Sequence, residues 1–203
     1  MISVSILSIK DDNDKILEID SMHPNYIHID VMDGLFVDNK VDMLNLPMLY
    51  SKRDVHLMVY DVKGYIDKYI KYEPEYITFH YEAVDNIEEL VNYIHSFGIK
   101  AGLSIKPNTD VDSIKKYLNI VDLVLVMSVE PGHGGQKFIY ESKNKIDKLY
   151  DLKVENNYNY VIEVDGGVNT DVKDLCKKAD IMVVGSYITS AASPIDALES
   201  MNL

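Results

Sequence analysis

The sequence has a single cysteine, Cys176, and a single arginine, Arg53, among its 203 residues. One cysteine excludes an intrachain disulfide and fits a reducing compartment, so we expect a cytoplasmic protein. One arginine excludes a cluster of bidentate guanidinium groups around a phosphate. Backbone N–H groups therefore have to bind any phosphorylated ligand.

Positive charge and long apolar runs are also scarce. The chain has 20 Lys and Arg residues against 33 Asp and Glu residues, a formal net charge of −13 at pH 7. Such an acidic surface repels a phosphate backbone, which makes nucleic acid a poor partner. The first eight residues have no basic region before a short apolar run, and no apolar stretch reaches membrane-spanning length. We expect neither a signal peptide nor a membrane partner.

Short β-rich runs alternate with longer amphipathic segments along the chain, and no linker or low-complexity tract interrupts them. The candidate strands are residues 2–7, 26–31, 54–59, 76–80, 100–104, 123–127, 160–164 and 181–185. We expect a helix after each strand, except that residues 40–50, which contain Pro47, predict only a turn or a short helix. Eight such rounds predict a single-domain (β/α)₈ barrel (TIM barrel) over residues 1–203, and this count argues against a doubly wound open sheet.

One candidate strand places a histidine and a carboxylate two residues apart. Residues two apart in a strand face the same side, so His28 and Asp30 point together. In a barrel, functional side chains gather at the carboxyl ends of strands, where His56 and Asp165 also fall. These four residues predict a site for one divalent Zn, Fe, Mn or Co ion. The alternative is that some of them are only buried, hydrogen-bonded residues, and for His80 the two interpretations are equally supported.

The loops after the last three candidate strands are rich in glycine. Small loops let backbone N–H groups approach an anion, and a phosphate near the last two strands is a recurrent barrel feature. The candidate phosphate-site residues are Gly132, His133, Gly134, Gly135, Gly166, Gly167, Gly185 and Ser186.

Three methionines, Met32, Met58 and Met127, lie near strand ends, where methionine more often belongs to the hydrophobic core. If functional, they would form an apolar wall beside the reacting carbons.

These residues lie in motifs that resemble the ribulose-phosphate 3-epimerase family along nearly the whole chain. The matching blocks are residues 5–8, 28–34, 56–59, 78–82, 127–138 and 163–168. The resemblance implies a (β/α)₈ barrel, one divalent metal ion and a phosphorylated ketose substrate. The implied reaction interconverts D-ribulose 5-phosphate and D-xylulose 5-phosphate. It also implies a homo-oligomer.

The resemblance assigns roles position by position. His28, Asp30, His56 and Asp165 match the metal ligands, and Asp30 and Asp165 match the two acid/base residues. Ser5 and His56 match substrate contacts, to which we add Asp165. The glycine-rich loops match the sugar-phosphate loops.

The chain departs from the family pattern in two loops. His133 stands where the family usually has phenylalanine, Leu35 where histidine is frequent, and Asp38 where proline is usual. Residues 41–43, Val-Asp-Met, replace the expected Thr-Phe-Gly. None of these positions is a nominated ligand.

Two alternative functions stay open at this point. A 3-epimerase acting on a six-carbon ketose phosphate would share every nominated ligand. The doubled glycine after Asp165 and the Met-Ser-Val block that begins at Met127 favour the pentose enzyme. A barrel that only binds a phosphorylated ligand, without metal or catalysis, is the alternative from another class.

Overall fold

Eight parallel strands close into a barrel in the computed structural model, which describes residues 1–201. With a short antiparallel strand, the strands are β1 (Ile2–Ser5), β2 (Tyr26–Asp33), β3 (Lys40–Val41), β4 (Lys52–Met58), β5 (Tyr76–His80), β6 (Lys100–Ile105), β7 (Leu123–Met127), β8 (Val161–Asp165) and β9 (Ile181–Val184). Their order is β1-β9-β8-β7-β6-β5-β4-β2-β3, and pairing of β1 with β2 closes the barrel. The prediction of a TIM barrel is confirmed.

The barrel strands form where apolar and β-branched residues run together without interruption. β7, with the sequence Leu-Val-Leu-Val-Met, is buried along its whole length. Parallel strands covered on both faces show this continuous hydrophobicity. β5 and β7 begin and end at the predicted residues, whereas β2 continues two residues past the predicted end because β3 pairs with its last two positions.

Helices cover the outside of the barrel. They are α1 (Asn13–Ser21), α2 (Val62–Tyr69), α3 (Ile87–His95), α4 (Ser142–Asn156), α5 (Ser186–Thr189) and α6 (Pro194–Ser200). In α3 the Asn86 side chain accepts a hydrogen bond from the Glu89 N–H, which caps the amino end. Beyond its carboxyl end, Gly98 adopts a φ of +73°, a conformation that favours glycine.

Three connections differ from the expected helices and turn. The connections after β6 and β8 contain only 3₁₀ segments, Val111–Tyr117 and Lys173–Cys176. Both are capped or closed by local hydrogen bonds, such as the Asp110 side chain accepting from the Asp112 N–H. The segment 40–50, where we expected a turn or short helix, instead begins with β3. That strand forms because the long β2 offers an edge with which it pairs.

The strand register places the nominated residues at one end of the barrel. Asp30 of β2 lies beside His56 of β4, and Asp165 of β8 lies beside Met127 of β7. Ser5, at the end of β1, lies beside His28. The carboxyl ends of parallel strands therefore bring these side chains to a common edge.

Residues 1–201 contain no helix that is both long and apolar enough to cross a membrane. The prediction of one domain over residues 1–203 includes residues 202 and 203, which lie outside the described residues.

Candidate active site

Four side chains from β2, β4 and β8 converge at the carboxyl end of the barrel. His28, Asp30, His56 and Asp165 each bring one atom into a group whose members lie within 4.8 Å of one another. Asp30 Oδ1 lies 3.5 Å from His28 Nε2 and 3.5 Å from His56 Nδ1. Asp165 Oδ2 lies 4.0 Å and 3.9 Å from the same two nitrogens. All four nominated ligands therefore come together.

The ring nitrogens that face this group have no hydrogen-bond partner among the described residues. His28 Nε2 and His56 Nδ1 are buried and unpaired, although the other nitrogen of each ring is hydrogen-bonded. Buried polar atoms are normally paired, and two imidazoles with two carboxylates suit a divalent transition metal ion. Neighbouring ligands of a tetrahedral ion with bonds of about 2.1 Å lie about 3.4 Å apart, close to the observed separations. The residues present therefore fit a metal ion.

The two carboxyl groups of the cluster experience opposite environments. Burial raises the pKa of Asp165 to about 6. Burial also acts to raise the pKa of Asp30, but the nearby imidazole rings of His28 and His56 outweigh it and hold that pKa well below its ordinary value. Ser5 Oγ donates a further hydrogen bond of 2.8 Å to Asp30 Oδ2. Titratable pairs whose pKa values are pushed apart in this way are typical of acid/base sites.

A cavity of about 1070 Å³ opens over the cluster. Asp30 and Asp165 lie in its wall, whereas His28 and His56 are fully buried beneath it. The other nominated residues in the wall are Ser5, Met32, Met58, Met127, Gly132, His133, Gly134, Gly135, Gly166, Gly167, Gly185 and Ser186. Apart from His56, every residue predicted to bind substrate therefore borders one space.

Two of the cavity glycines occupy positions that no other residue fits. Gly166 has a φ of +119°, and a Cβ there would lie 2.4 Å from Val129 Cγ2. Gly167 has a φ of +66°, and a Cβ there would lie 2.5 Å from the Phe138 backbone nitrogen. The absence of a side chain at both positions lets the loop after β8 lie directly against the loop after β7. Glycine is required here for close approach of the two loops.

The loop after β2 touches the glycine-rich loop after β7. Asn39 Nδ2 donates to the Gly132 carbonyl oxygen at 3.0 Å. His133 Nδ1 lies 3.7 Å from Asp38 Oδ1, and both side chains are exposed. Two departures from the family pattern therefore face each other at the rim of the cavity.

Sequence reasoning missed two buried carboxyl groups beneath the cluster. Asp54 accepts hydrogen bonds at Oδ2 from the Ser3 hydroxyl at 2.9 Å and from His28 Nδ1 at 2.7 Å. Glu163 is fully buried, and burial together with the charge of Asp54 raises its pKa well above the ordinary value. The signal was the period of two, because Asp54 precedes His56, and Glu163 precedes Asp165, by two positions on the same strand face.

His80, whose role the sequence leaves open, lies in this polar interior. It is fully buried, and its Nε2 lies 2.8 Å from His56 Nε2. The structure thus places it directly behind a nominated ligand rather than in the cavity wall.

The fold and this site define a class, the (β/α)₈-barrel enzymes whose reacting groups lie at the carboxyl ends of the strands. Solved structures agree on the fold. Orotidine 5'-phosphate decarboxylase from Pyrococcus horikoshii superimposes with a TM-score of 0.69 at 12% identity, covering 99% of this chain and 97% of its own. 3-Hexulose-6-phosphate synthase from Salmonella typhimurium gives 0.67 at 16% identity, covering 98% and 95%.

Sequence comparison shows to which family within this class of enzymes the chain belongs. Residues 1–189 match the sequence model described as the ribulose-phosphate 3 epimerase family. The chain is 37% identical over 174 residues to ribulose-phosphate 3-epimerase of Treponema pallidum, covering 81% of this chain and 79% of the relative. It is 40% identical over 171 residues to that of Methanocaldococcus jannaschii, covering 81% and 72%. The chain belongs to the ribulose-phosphate 3-epimerase family and is an isomerase.

Proposed function

We propose that this enzyme inverts C3 of D-ribulose 5-phosphate and so interconverts it with D-xylulose 5-phosphate. The observation that carries the proposal is the pair Asp30 and Asp165, two carboxyl groups that lie in the wall of one cavity beside the buried rings of His28 and His56. Membership of the family, and the names of the relatives in it, support the choice of substrate.

Asp30 and Asp165 act as the two proton carriers in this proposal. Inversion of a carbon beside a carbonyl needs a base on one face and an acid on the other. β2 and β8 are separated in the barrel by β1 and β9, so the two carboxyl groups approach the cavity from different sides. Asp30 removes the C3 proton while Asp165 delivers a proton to the opposite face, and the roles exchange in the reverse reaction.

His28, Asp30, His56 and Asp165 would hold one divalent ion, Zn²⁺, Fe²⁺, Mn²⁺ or Co²⁺. Once bound, the ion would supply positive charge that stabilises the negative charge developing on the substrate oxygens. The unpaired nitrogens of His28 and His56 support this assignment.

The cavity wall supplies the remaining substrate contacts. We assign the phosphate to backbone N–H groups of the loops that contain Gly134, Gly166 and Gly185, because few cationic side chains are available. Ser5 donates a hydrogen bond to Asp30 and lines the same cavity, so we assign it a contact with the sugar. Met32, Met58 and Met127 form the apolar wall, and His133 contributes at the rim.

A substrate comparison tests the proposal. Purified protein is assayed with ribulose 5-phosphate and with six-carbon ketose phosphates, each with and without a chelator, and its metal content is measured. We expect chelator-sensitive epimerisation, with the pentose preferred. Preference for a six-carbon substrate would support the other phosphoketose epimerase. Absence of both metal and activity would support a barrel that only binds a phosphorylated ligand.

Two further predictions accompany the function. The single cysteine favours the cytoplasm, and the family resemblance favours a homo-oligomer. Both stay predictions, to be checked by fractionation of the source cells and by light scattering of the purified protein.

A further inference from the structure

In both imidazoles of the cluster, the ring nitrogen that faces away from the cluster is hydrogen-bonded. For His28 the partner is a carboxylate. His28 Nδ1 lies 2.7 Å from Asp54 Oδ2, which also accepts from the Ser3 hydroxyl. An ionised carboxylate can only accept hydrogen bonds, so Nδ1 carries the proton. In the neutral ring that binds a metal ion, the lone pair is then on Nε2, which faces the cluster, as in other carboxylate–histidine pairs at metal sites.

His56 has a different partner, a second histidine. The Nε2 atoms of His56 and His80 are 2.8 Å apart, and the ring centroids are separated by 5.0 Å. His80 Nδ1 lies 3.2 Å from Glu82 Oε2. Phe36 packs against the His80 ring, with a centroid distance of 4.8 Å. The His80 ring is therefore held between His56, Glu82 and an aromatic side chain.

Glu82 gives this chain of hydrogen bonds its direction. Its Oε1 accepts from the Lys106 backbone N–H at 2.8 Å and from the Thr109 hydroxyl. Its Oε2 then accepts from His80 Nδ1. A neutral imidazole has one donor and one acceptor nitrogen, so His80 Nε2 accepts and His56 Nε2 donates. This leaves the lone pair of His56 on Nδ1, the unpaired nitrogen that faces the cluster.

We propose that Glu82 and His80 are positioning residues that fix His56 as the Nε2–H tautomer and so present its Nδ1 lone pair to the metal ion. This inference rests on the proposed metal site. The backbone of Lys106 anchors the far end of the chain, so the loop after β6 sets the protonation pattern of a ligand on β4.

The substitution Glu82→Gln tests the direction of the hydrogen bonds. The backbone N–H of Lys106 can pair only with the amide oxygen of the new side chain. The amide NH₂ then faces His80 Nδ1, which has to become an acceptor. His80 Nε2 becomes a donor, His56 Nε2 becomes an acceptor, and the proton of His56 moves to Nδ1. One oxygen-to-nitrogen exchange is therefore expected to reverse two tautomers.

The readout is the ¹⁵N NMR spectrum of the histidine rings in the metal-free protein, followed by competition with a chromogenic chelator for Zn²⁺. We expect Nε2–H at His56 in the parent chain, Nδ1–H in Glu82→Gln, and Zn²⁺ binding weakened about 10- to 100-fold. An unchanged His56 tautomer in the folded variant overturns the proposal, whatever the affinity. Because the tautomer is read without metal, this failure is distinct from failure of the parent chain to bind Zn²⁺.

Matched variants separate positioning from charge and folding. Glu75→Gln makes the same chemical change at the amino end of the barrel, where Glu75 pairs with Lys52 and Lys100, and we expect no change in tautomer or affinity. If Glu82→Gln does not fold, His80→Gln and His80→Leu replace it. Glutamine retains an acceptor for His56 and should preserve Zn²⁺ binding, whereas leucine should weaken it. Equal affinities in the two His80 variants would overturn the proposal.

Discussion

Asp30 and Asp165 have the same side chain, but their neighbours shift the pKa values of the two carboxyl groups in opposite directions. Asp30 lies 3.5 Å from ring nitrogens of both His28 and His56 and accepts a hydrogen bond from Ser5. Asp165 lies farther from both rings, so burial dominates and raises its pKa to about 6. Differences of less than 1 Å in contact distance thus accompany opposite pKa shifts in the two carboxyl groups.

Replacement of Asp165 by asparagine removes a proton carrier and keeps the size of the side chain. We expect kcat to fall about 10²- to 10⁴-fold, the usual contribution of a general acid/base group. Circular dichroism and the melting temperature should stay close to those of the parent chain. The measurement is a coupled epimerase assay at saturating substrate, and near-normal turnover would remove Asp165 from the mechanism.

The substitution Gly166→Ala adds only one methyl group, but we expect it to change the shape of the cavity. The new Cβ would meet both the Val129 side chain at 2.4 Å and the Val129 backbone nitrogen at 2.9 Å, so the loop has to move. We expect KM for the phosphorylated substrate to rise and the free energy of unfolding to fall.

Gly98→Ala is the matched control, because Gly98 also has positive φ but its Cβ would meet nothing within 4 Å. It should cost only the backbone strain, about 1–2 kcal/mol, with KM unchanged. Similar losses of stability in both variants, with KM unaffected, would contradict a role for close packing at Gly166.

At the scale of elements, side chains from neighbouring loops and helices accept hydrogen bonds from backbone N–H groups at or just before the starts of alternate barrel strands. The side-chain oxygens of Asn25, Asp122 and Asp180 accept from the N–H groups of Ile2, Ala101 and Ile162, at the starts of β1, β6 and β8. Asp20, near the end of α1, does the same just before β4, with the N–H groups of Tyr50 and Ser51. Several of the many acidic residues are therefore structural at the amino end of the barrel.

The substitution Asp20→Ala tests how much these hydrogen bonds stabilise the fold. Asp20 is 1% exposed and accepts two backbone hydrogen bonds, of 2.7 Å and 2.9 Å. Loss of these acceptors should lower the free energy of unfolding by about 1–3 kcal/mol, measured by urea denaturation. Asp11→Ala, at an exposed position that pairs with the neighbouring Lys10, should change it by less than about 0.5 kcal/mol. Equal effects would show that the Asp20 hydrogen bonds add nothing.

The sequence predicted the barrel strands well because each one is locally apolar. It failed where an element depends on a distant partner: Lys40–Val41 is a strand only because β2 extends beside it. The candidate ligands were predictable because parallel strands end at a common edge. The residues behind them were not, since the role of His80 depends on which ring nitrogen of His56 it meets, and strand periodicity carries no information on tautomers.

At the scale of the whole molecule, the single thiol offers one probe of the closed barrel. Cys176 is fully buried in the segment Lys173–Cys176, between β8 and β9, where its Sγ lies 3.7 Å from the Val172 carbonyl oxygen. Burial raises the pKa of this thiol to about 12. Thiolate is the reactive form of cysteine, so modification requires that this part of the barrel open.

We therefore expect Cys176 to react with Ellman's reagent at pH 8 at least about 1000-fold more slowly in the native protein than in guanidinium chloride, because the reagent reaches the buried thiol only when this region opens. A double variant with Cys176→Ser and Glu18→Cys carries its thiol on the exposed face of α1 and should react at the rate of the unfolded chain. Rapid labelling of native Cys176 would mean that the region between β8 and β9 opens without global unfolding. Since β9 pairs with β1 to complete the barrel, a labelling rate that follows global unfolding would show instead that its closure is as stable as the fold.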